Sequence, residues 1–457
     1  YLKYNIIMID NHTQNVSSIW SFRQKKLDQL PNIADVVIIG GGIIGVSTAY
    51  FLAKSGVNVC LCEKGYISGE QSGRNWGWVR VQGRDEREIP LMLRSLEIWR
   101  GLSDEIQGDT GYKESGCLYS AYNHKEMDSY NSWLKLAKKY DIKTEVLNKA
   151  DLEREAGQVA KRWIGGIITK TDGRAEPHQA TISIAKAAQN LGAKILTNTA
   201  VRGIEKTAGN VSAVITEDGH IKTSIVICAA GAWSSYFCRS LGISVPQLQV
   251  KGTVARTNPI KSPINGNIYD KNISIRKRED GGYTVAHGAI LDHSITPSTI
   301  YFGPKYVKAL MREFNVLKLS FGKDFFEHLS RPKSWDLDSE TIFERIRALD
   351  PRPNKKVLET INKDIGKIYP ELKNAEIIES WAGMVETTPD VIPIISEIES
   401  IPGFLLATGF SGHGFGIGPA AGEAISNMVQ NKTAMSMENF KLKRFFDGSP
   451  ITMDAHI

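Results

Sequence analysis

The chain has 457 residues, 42 % of them hydrophobic and 23 % charged, with a formal net charge of +6. That length can bury a large core and fits two domains better than one, and the composition excludes a disordered or fibrous chain. Basic and acidic residues are interspersed, as in Lys277–Asp280 (KRED), so the surface is solvated and not a nucleic-acid footprint, while the basic excess favours an anionic cofactor or substrate.

Residues 1–30 are mostly polar and lack the apolar run of a secretory signal, so they form an N-terminal extension in which Met8 is a candidate native start. Ile33 to Ala53 carry one charge, Asp35, over a length that spans a bilayer. The glycines at its centre and the β-branched run before them exclude a membrane helix.

That stretch instead opens a strand–turn–helix–strand unit. Val36–Ile39 have the continuous apolar character of a buried parallel strand. Residues 43–56 have helical spacing and end on Gly56, a helix stop. Residues 57–63 form a second buried strand ending in an acid. Gly40, Gly42 and Gly45 thus fall on the turn as GxGxxG. The first permits the tight turn, the second lets backbone approach a pyrophosphate, and the third lets helix pack on strand. The helix N-terminus, with Ile43 and Ile44, faces the phosphates. Glu63 stands where a carboxylate accepts from a ribose hydroxyl. The motif predicts a dinucleotide without choosing between flavin and nicotinamide.

Residues 64–80 are turn-rich and aromatic, too irregular for a strand and too rich in glycine for a helix. Helices are predicted at 88–106, 124–142 and 178–195, with a short strand after the third. Residues 211–233 form two β runs about the turn at 217–220. From 245 to 300 short half-buried antiparallel strands alternate with turns, and 301–375 is mostly charged helix. A buried strand at 403–410 leads into a loop of five glycines in eleven residues, Gly409 to Pro419, followed by a helix with Pro419 in its first turn. Cys60, Cys62, Cys117, Cys228 and Cys238 are odd in number and scattered, which argues for a reducing compartment, and Cys60 and Cys62 are core residues on one strand face. The parallel-sheet signals are discontinuous, so one nucleotide-binding domain is interrupted by a second, partly antiparallel one. No span, nucleic-acid site or metal cluster is predicted.

Three distant segments point the same way. Residues 35–65 with Ser72–Asn75 (SGRN), Cys228–Ser234 (CAAGAWS), and Thr388–Ile395 with Gly403–Gly422 resemble the FAD-dependent D-amino-acid oxidase superfamily, in the branch of sarcosine and glycine oxidases, D-amino-acid dehydrogenases and γ-glutamylputrescine oxidase. The resemblance runs from about Ser17 onward. It implies an α/β fold: a Rossmann-like FAD-binding domain with an inserted α+β substrate domain built on an antiparallel sheet. The expected segments are 31–85, 150–245 and 376–440 for FAD, 86–149 and 246–375 for substrate, and a tail at 441–457.

The resemblance also implies site residues. Gly40, Gly42, Gly45, Glu63 and Lys64 belong to the ADP fingerprint. Gln71, Ser72, Gly73, Arg74, Asn75, Trp76 and Gly77 belong to a loop under the pyrophosphate and flavin. Val201 contacts adenine, Ala230, Gly231 and Trp233 lie near the pyrophosphate, and Gly412, His413, Gly414, Phe415 and Gly416 lie at the isoalloxazine. Relatives that link flavin covalently use a cysteine where Gly383 stands, or a histidine near Asn75 and Trp76, so non-covalent FAD is implied. Two carboxylate anchors are replaced, by Val385 and Gly416.

The resemblance implies a cytoplasmic enzyme that oxidises the C–N bond of an amino acid or secondary amine. Hydride moves to flavin N5, and the resulting imine hydrolyses. Oxygen, a quinone or an electron-transfer protein accepts the electrons. A flavin-dependent tRNA-modifying domain and a non-catalytic flavin subunit are the alternatives. His413 either takes part in catalysis or is held by its loop. His287 is a lesser candidate. A substrate carboxylate needs an arginine, Arg80 first and Arg276 second, each also readable as a surface ion pair. Trp76, Trp78 and Trp381 are candidate pocket walls or core residues.

Overall fold

The structure is a computed structural model; it describes residues 30–314, 316–432 and 435–453. Met8 and most of the N-terminal extension lie outside the described residues.

Val36–Ile39 forms the centre of a six-stranded sheet because all four of its side chains are apolar and buried on both faces. Strand order is 394–397, 404–408, 225–228, 36–39, 59–62, 194–196, parallel throughout except for the antiparallel edge strand 394–397. Ile39 is paired with Cys228 on one side and Cys62 on the other, so three strand ends meet at the glycine turn.

The opening helix, Ile43–Lys54, is buried nearly all round. It lies against Pro177–Asn190 and against the closing helix, Gly414–Val429. Glycines set both approaches. A Cβ on Gly45 would stand 1.9 Å from the carbonyl oxygen of Gly40, and one on Gly422 would stand 2.5 Å from Cβ of Ser47. Gly40 has φ +113° and its missing Cβ would meet the Ala229 carbonyl oxygen at 2.4 Å.

A ten-stranded, mostly antiparallel sheet runs 317–320, 291–294, 248–257, 283–286, 274–277, 267–269, 117–121, 165–169, 144–147, and strand Ile377–Thr387 pairs with 248–257. Strands 165–169 and 377–387 therefore belong to this second sheet, although the sequence reading puts them in the nucleotide-binding segments. Their ladder partners are distant in sequence, which local patterning does not report. The β region at 210–228 holds three strands, not two, and splits between a small antiparallel sheet (201–207, 210–216, 219–222) and the parallel one.

The helices at 89–105, 124–139 and 177–190 fall where amphipathic spacing puts them. The closing helix starts five residues earlier than expected. Pro419 is therefore inside it and not in its first turn. Proline leaves the helix one N–H short. Nearby, the carbonyl of Gly416 accepts from Ser95 Oγ at 2.7 Å and Trp99 Nε1 at 2.8 Å, so helix 89–105 supplies donors from outside. Among the described residues no helix is long and apolar enough to cross a membrane. All five cysteines are buried thiols, and Cys60 and Cys62 share one core cluster.

Candidate functional site

A single cleft starts where strands 36–39 and 59–62 end and runs to the glycine loop before the closing helix. At its first end, Glu63 Oε2 accepts the Gly41 N–H at 2.7 Å and Oε1 accepts the Gly65 N–H at 2.7 Å. Burial pushes this carboxyl up, against the pull of Lys64 and the two N–H groups. Glu70 ties the wall together: it accepts from Lys64 Nζ at 2.8 Å, Trp233 Nε1 at 3.0 Å and the Leu349 N–H at 3.0 Å. The Lys64 ammonium also lies 4.6 Å from the Trp233 ring centroid.

In the middle, Ser72 Oγ accepts the Ile43 N–H at 2.8 Å, at the first residue of the opening helix. Ser72 sits on a helical turn, Gln71–Arg74, within the stretch expected to be irregular. Gly73 permits that turn: a Cβ there would stand 2.3 Å from both the Ser68 carbonyl oxygen and His178. Asn75 closes it, donating to the Ser72 carbonyl at 2.7 Å and accepting the Gly77 N–H at 2.6 Å. Arg74 bridges to the second sheet through Asp350 at 2.5 Å and the Ala382 carbonyl at 3.0 Å.

Of the residues named from sequence, Gly40, Gly42, Ile43, Ile44, Glu63, Lys64, Gln71, Ser72, Arg74, Asn75, Val201, Ala230, Gly231, Trp233, Gly383, Gly412, Gly414 and Phe415 line this cleft. Gly45, Gly73, Trp76, Gly77, Arg80, Arg276, His287, His413 and Gly416 do not line it. Trp76 packs edge-on against Trp78 at 5.2 Å. Gly77 lies under Arg276, and Gly416 faces the backbone of Trp78 and Val79, where a Cβ would be 3.2 Å from the Trp78 carbonyl oxygen. Trp381 donates to the Arg74 carbonyl at 2.9 Å.

The two arginines separate. Arg276 is 1 % exposed and grips Glu176 at 2.8 Å and 3.2 Å, with Thr284 Oγ1 at 3.0 Å, so it is an internal ion pair away from the cleft wall and not the surface pair expected. Arg80 is half-buried, bonds the Gln82 carbonyl, and lies 5.5 Å from the ring centroid of Tyr119, itself 5.0 Å from Tyr269. Among the described residues no carboxylate forms an ion pair with Arg80. His287 accepts the Ala289 N–H at 3.2 Å within its own turn.

A charged cluster stands behind the glycine loop. His413 Nδ1 is 3.1 Å from Glu88 Oε2, a carboxylate with no solvent exposure. Burial holds the imidazole down at about 4, with Arg84 adding to the effect and Glu88 opposing it. Burial likewise holds Arg84 down at about 10, with Arg80 adding to the effect. Asp172 accepts the Val81 and Gln82 N–H groups at 2.7 and 3.1 Å, and burial pushes it up to about 7.

Sequence reasoning missed Gly41, Tyr66, Glu70, Phe237, Phe343, Glu386 and Phe410 on the cleft wall, and Arg84, Glu88 and Asp172 behind it. Phe343 sits in a segment that reads as charged helix and has no local signal. Glu386 does have one: an acid inside a strand whose neighbours are apolar or small.

Comparisons with known proteins agree with this geometry. The family model for FAD dependent oxidoreductases (DAO) matches residues 35–428. Mitochondrial sarcosine dehydrogenase of Mus musculus is 26 % identical over 91 % of this chain and 42 % of its own length. Glycine oxidase of Bacillus subtilis is 24 % identical over 87 % of this chain and 93 % of its own length. The chain thus spans less than half of the sarcosine dehydrogenases it matches. Among solved structures, the L-amino acid deaminase from Proteus myxofaciens, in complex with anthranilate, superposes with a TM-score of 0.89 at 33 % identity, covering 92 % of this chain and 96 % of that one.

Proposed function

The chain belongs to the family of FAD dependent oxidoreductases, and from that premise we propose that it oxidises the C–N bond of an amino acid, primary or N-substituted, held by its carboxylate at Arg80. The observation that carries the substrate class is the contrast between the two candidate arginines. Arg276 is consumed by Glu176, whereas Arg80 has no carboxylate within ion-pair distance among the described residues, Asp172 and Glu88 acting on it only at longer range, and lies against Tyr119. A guanidinium in that state is a site for a bidentate carboxylate.

The residues present fit FAD. Backbone without side chains at Gly40 and Gly42, the opening-helix N-terminus, and the unpartnered Oε2 of Glu386 inside the cleft all suit a long polar and aromatic group. Glu63 and Val201 would hold the nucleoside end; Gly40–Ile44, Ser72, Ala230 and Gly231 the phosphates; Gly383, Gly412, Gly414 and Phe415 the flavin ring. Neither Gly383 nor Asn75 offers a nucleophile, so the cofactor is held non-covalently. When bound, FAD accepts a hydride equivalent from the carbon beside nitrogen, leaving an imine that water hydrolyses.

The chain's own part is orientation. Arg80 fixes the carboxylate, its guanidinium set by the Tyr119 ring and the Gln82 carbonyl. His413 is too weak a base to carry an amine proton, because an effective base has its pKa near working pH. It acts instead through Glu88 to hold the loop Gly412–Gly414, and the amine loses its proton before binding. The closing helix presents its N-terminus where the reduced ring gathers negative charge. The ten-stranded sheet, which carries Tyr119 and Tyr269, forms the substrate side.

The test is anaerobic mixing of the FAD-loaded chain with L- and D-amino acids, N-methyl amino acids and simple amines. Bleaching of the flavin band by carboxylate-bearing amines, and not by their decarboxylated counterparts, is the expected result. Bound flavin that no amino acid bleaches would overturn the reading in favour of a non-catalytic subunit. Readmitting oxygen separates oxidase from dehydrogenase.

A further inference from the structure

Glu386 lies on strand Ile377–Thr387, across the ladder from Gln249, and is 4 % exposed. It lines the cleft, and its Oε2 has no hydrogen-bond partner. From the turn 71–74 comes the Gln71 side chain, whose Oε1 accepts the Glu386 N–H at 3.4 Å, and from the loop after strand 404–408 comes the Phe410 N–H; both act to hold the carboxyl down, against burial. From the turn after strand 225–228 comes Gly231, whose missing Cβ would stand 3.0 Å from Gln71 Nε2 and 3.9 Å from Glu386 Oε2. The charge that acts on it is another acid, Glu70, which adds to the effect of burial, and among the described residues no cation forms an ion pair with Glu386. A buried carboxyl with an acid for a neighbour and no cation keeps its proton. Burial pushes it up to about 7.

We propose that Glu386 is a cofactor-binding residue that donates a hydrogen bond from Oε2, as a neutral carboxylic acid, to an acceptor oxygen of the polar linker between the two ring systems of FAD. A carboxylate there would repel the phosphates, whereas an acid meets a phosphate or ribityl oxygen as a donor. The inference rests on the placement of FAD proposed above.

The test is titration of apoprotein with FAD, followed by quenching of flavin fluorescence, from pH 5.5 to 8.5. In the wild type, Kd should rise about tenfold per pH unit above 7, because one proton must be taken up on binding. Glu386→Gln keeps an N–H donor and cannot ionise, so its Kd should stay low and flat. Glu386→Met lacks the donor and should bind at least tenfold more weakly at pH 6. Riboflavin and ADP-ribose, neither of which titrates near neutrality, distinguish the acceptors: the slope follows riboflavin for a ribityl oxygen and ADP-ribose for a phosphate. A flat wild-type profile, or the same slope in the Gln variant, overturns this inference and leaves the cleft assignment standing. Failure of the wild type to bind FAD overturns both.

Discussion

His413 Nδ1 and the unexposed carboxylate of Glu88 stand 3.1 Å apart, which fastens the glycine loop to the start of helix 89–105 across 325 residues of sequence. Because burial keeps the imidazole neutral above about 4, His413→Asn should leave the pH–rate profile between 5 and 8 unchanged in shape. FAD affinity should fall about tenfold, the cost of one charge-assisted hydrogen bond. Glu88→Gln should give the same pair of results. A pH limb that vanishes in His413→Asn would mark the histidine as a proton carrier.

Arg80 and Arg276 should differ in what their loss costs. Arg80→Met is expected to raise KM for a carboxylate substrate roughly 10- to 100-fold with little change in unfolding midpoint. Arg276→Met leaves Glu176 buried beside an empty place and should cost about 3 kcal/mol in urea unfolding. Steady-state kinetics and denaturation on both variants check the division.

Glu386 also predicts a stability profile for the apoprotein. Its folded value is raised from 4.5 to about 7, so the unfolded chain gives up this proton first. Below pH 4.5 both states hold the proton and the group costs nothing. The penalty grows between 4.5 and 7, and above 7 it is constant at about 3 kcal/mol. Glu386→Gln should therefore gain on the wild type across that window and hold the gain at higher pH. Urea unfolding at pH 4.5, 6 and 8 measures it.

Two glycines in helices should respond oppositely to alanine. Gly422→Ala forces a methyl within 2.6 Å of the Ser47 backbone and should destabilise by about 1–3 kcal/mol. Gly101, in helix Ile89–Glu105, has nothing within 4 Å of its missing Cβ. Gly101→Ala should stabilise by about 0.5–1 kcal/mol. Thermal melts of the apoprotein are sufficient.

All five cysteines are free and buried. Ellman's reagent should therefore titrate no thiol in the folded protein and five in denaturant. Fast reaction of one thiol under native conditions would show that its core cluster opens.

Local pattern carries the parts of this molecule that are local. Val36–Ile39, the glycine turn and helix 43–54 are one uninterrupted stretch, so apolar run, φ-permissive residue and helical period identify them without any partner. The glycine loop before the closing helix is legible for the same reason. Helix ends are less so: Pro419 suggests a start at 419, but side chains of Ser95 and Trp99 anchor the Gly416 carbonyl in a helix that begins at Gly414.

What tertiary structure alone decides is which charges find partners. Arg80 and Arg276 are alike in sequence, yet Arg80 meets an aromatic ring and Arg276 meets Glu176, because the start of helix Pro177–Asn190 and strand 274–277 are neighbours only in the folded chain. Glu70 and Glu386 join the cleft through pairings of 163 to 315 residues in sequence separation. A dinucleotide fold is legible in one short contiguous motif, and flavin in the resemblance that three separate short segments carry together. The protonation and commitment of its buried acids and arginines depend on desolvation by distant segments, and only the folded chain sets those.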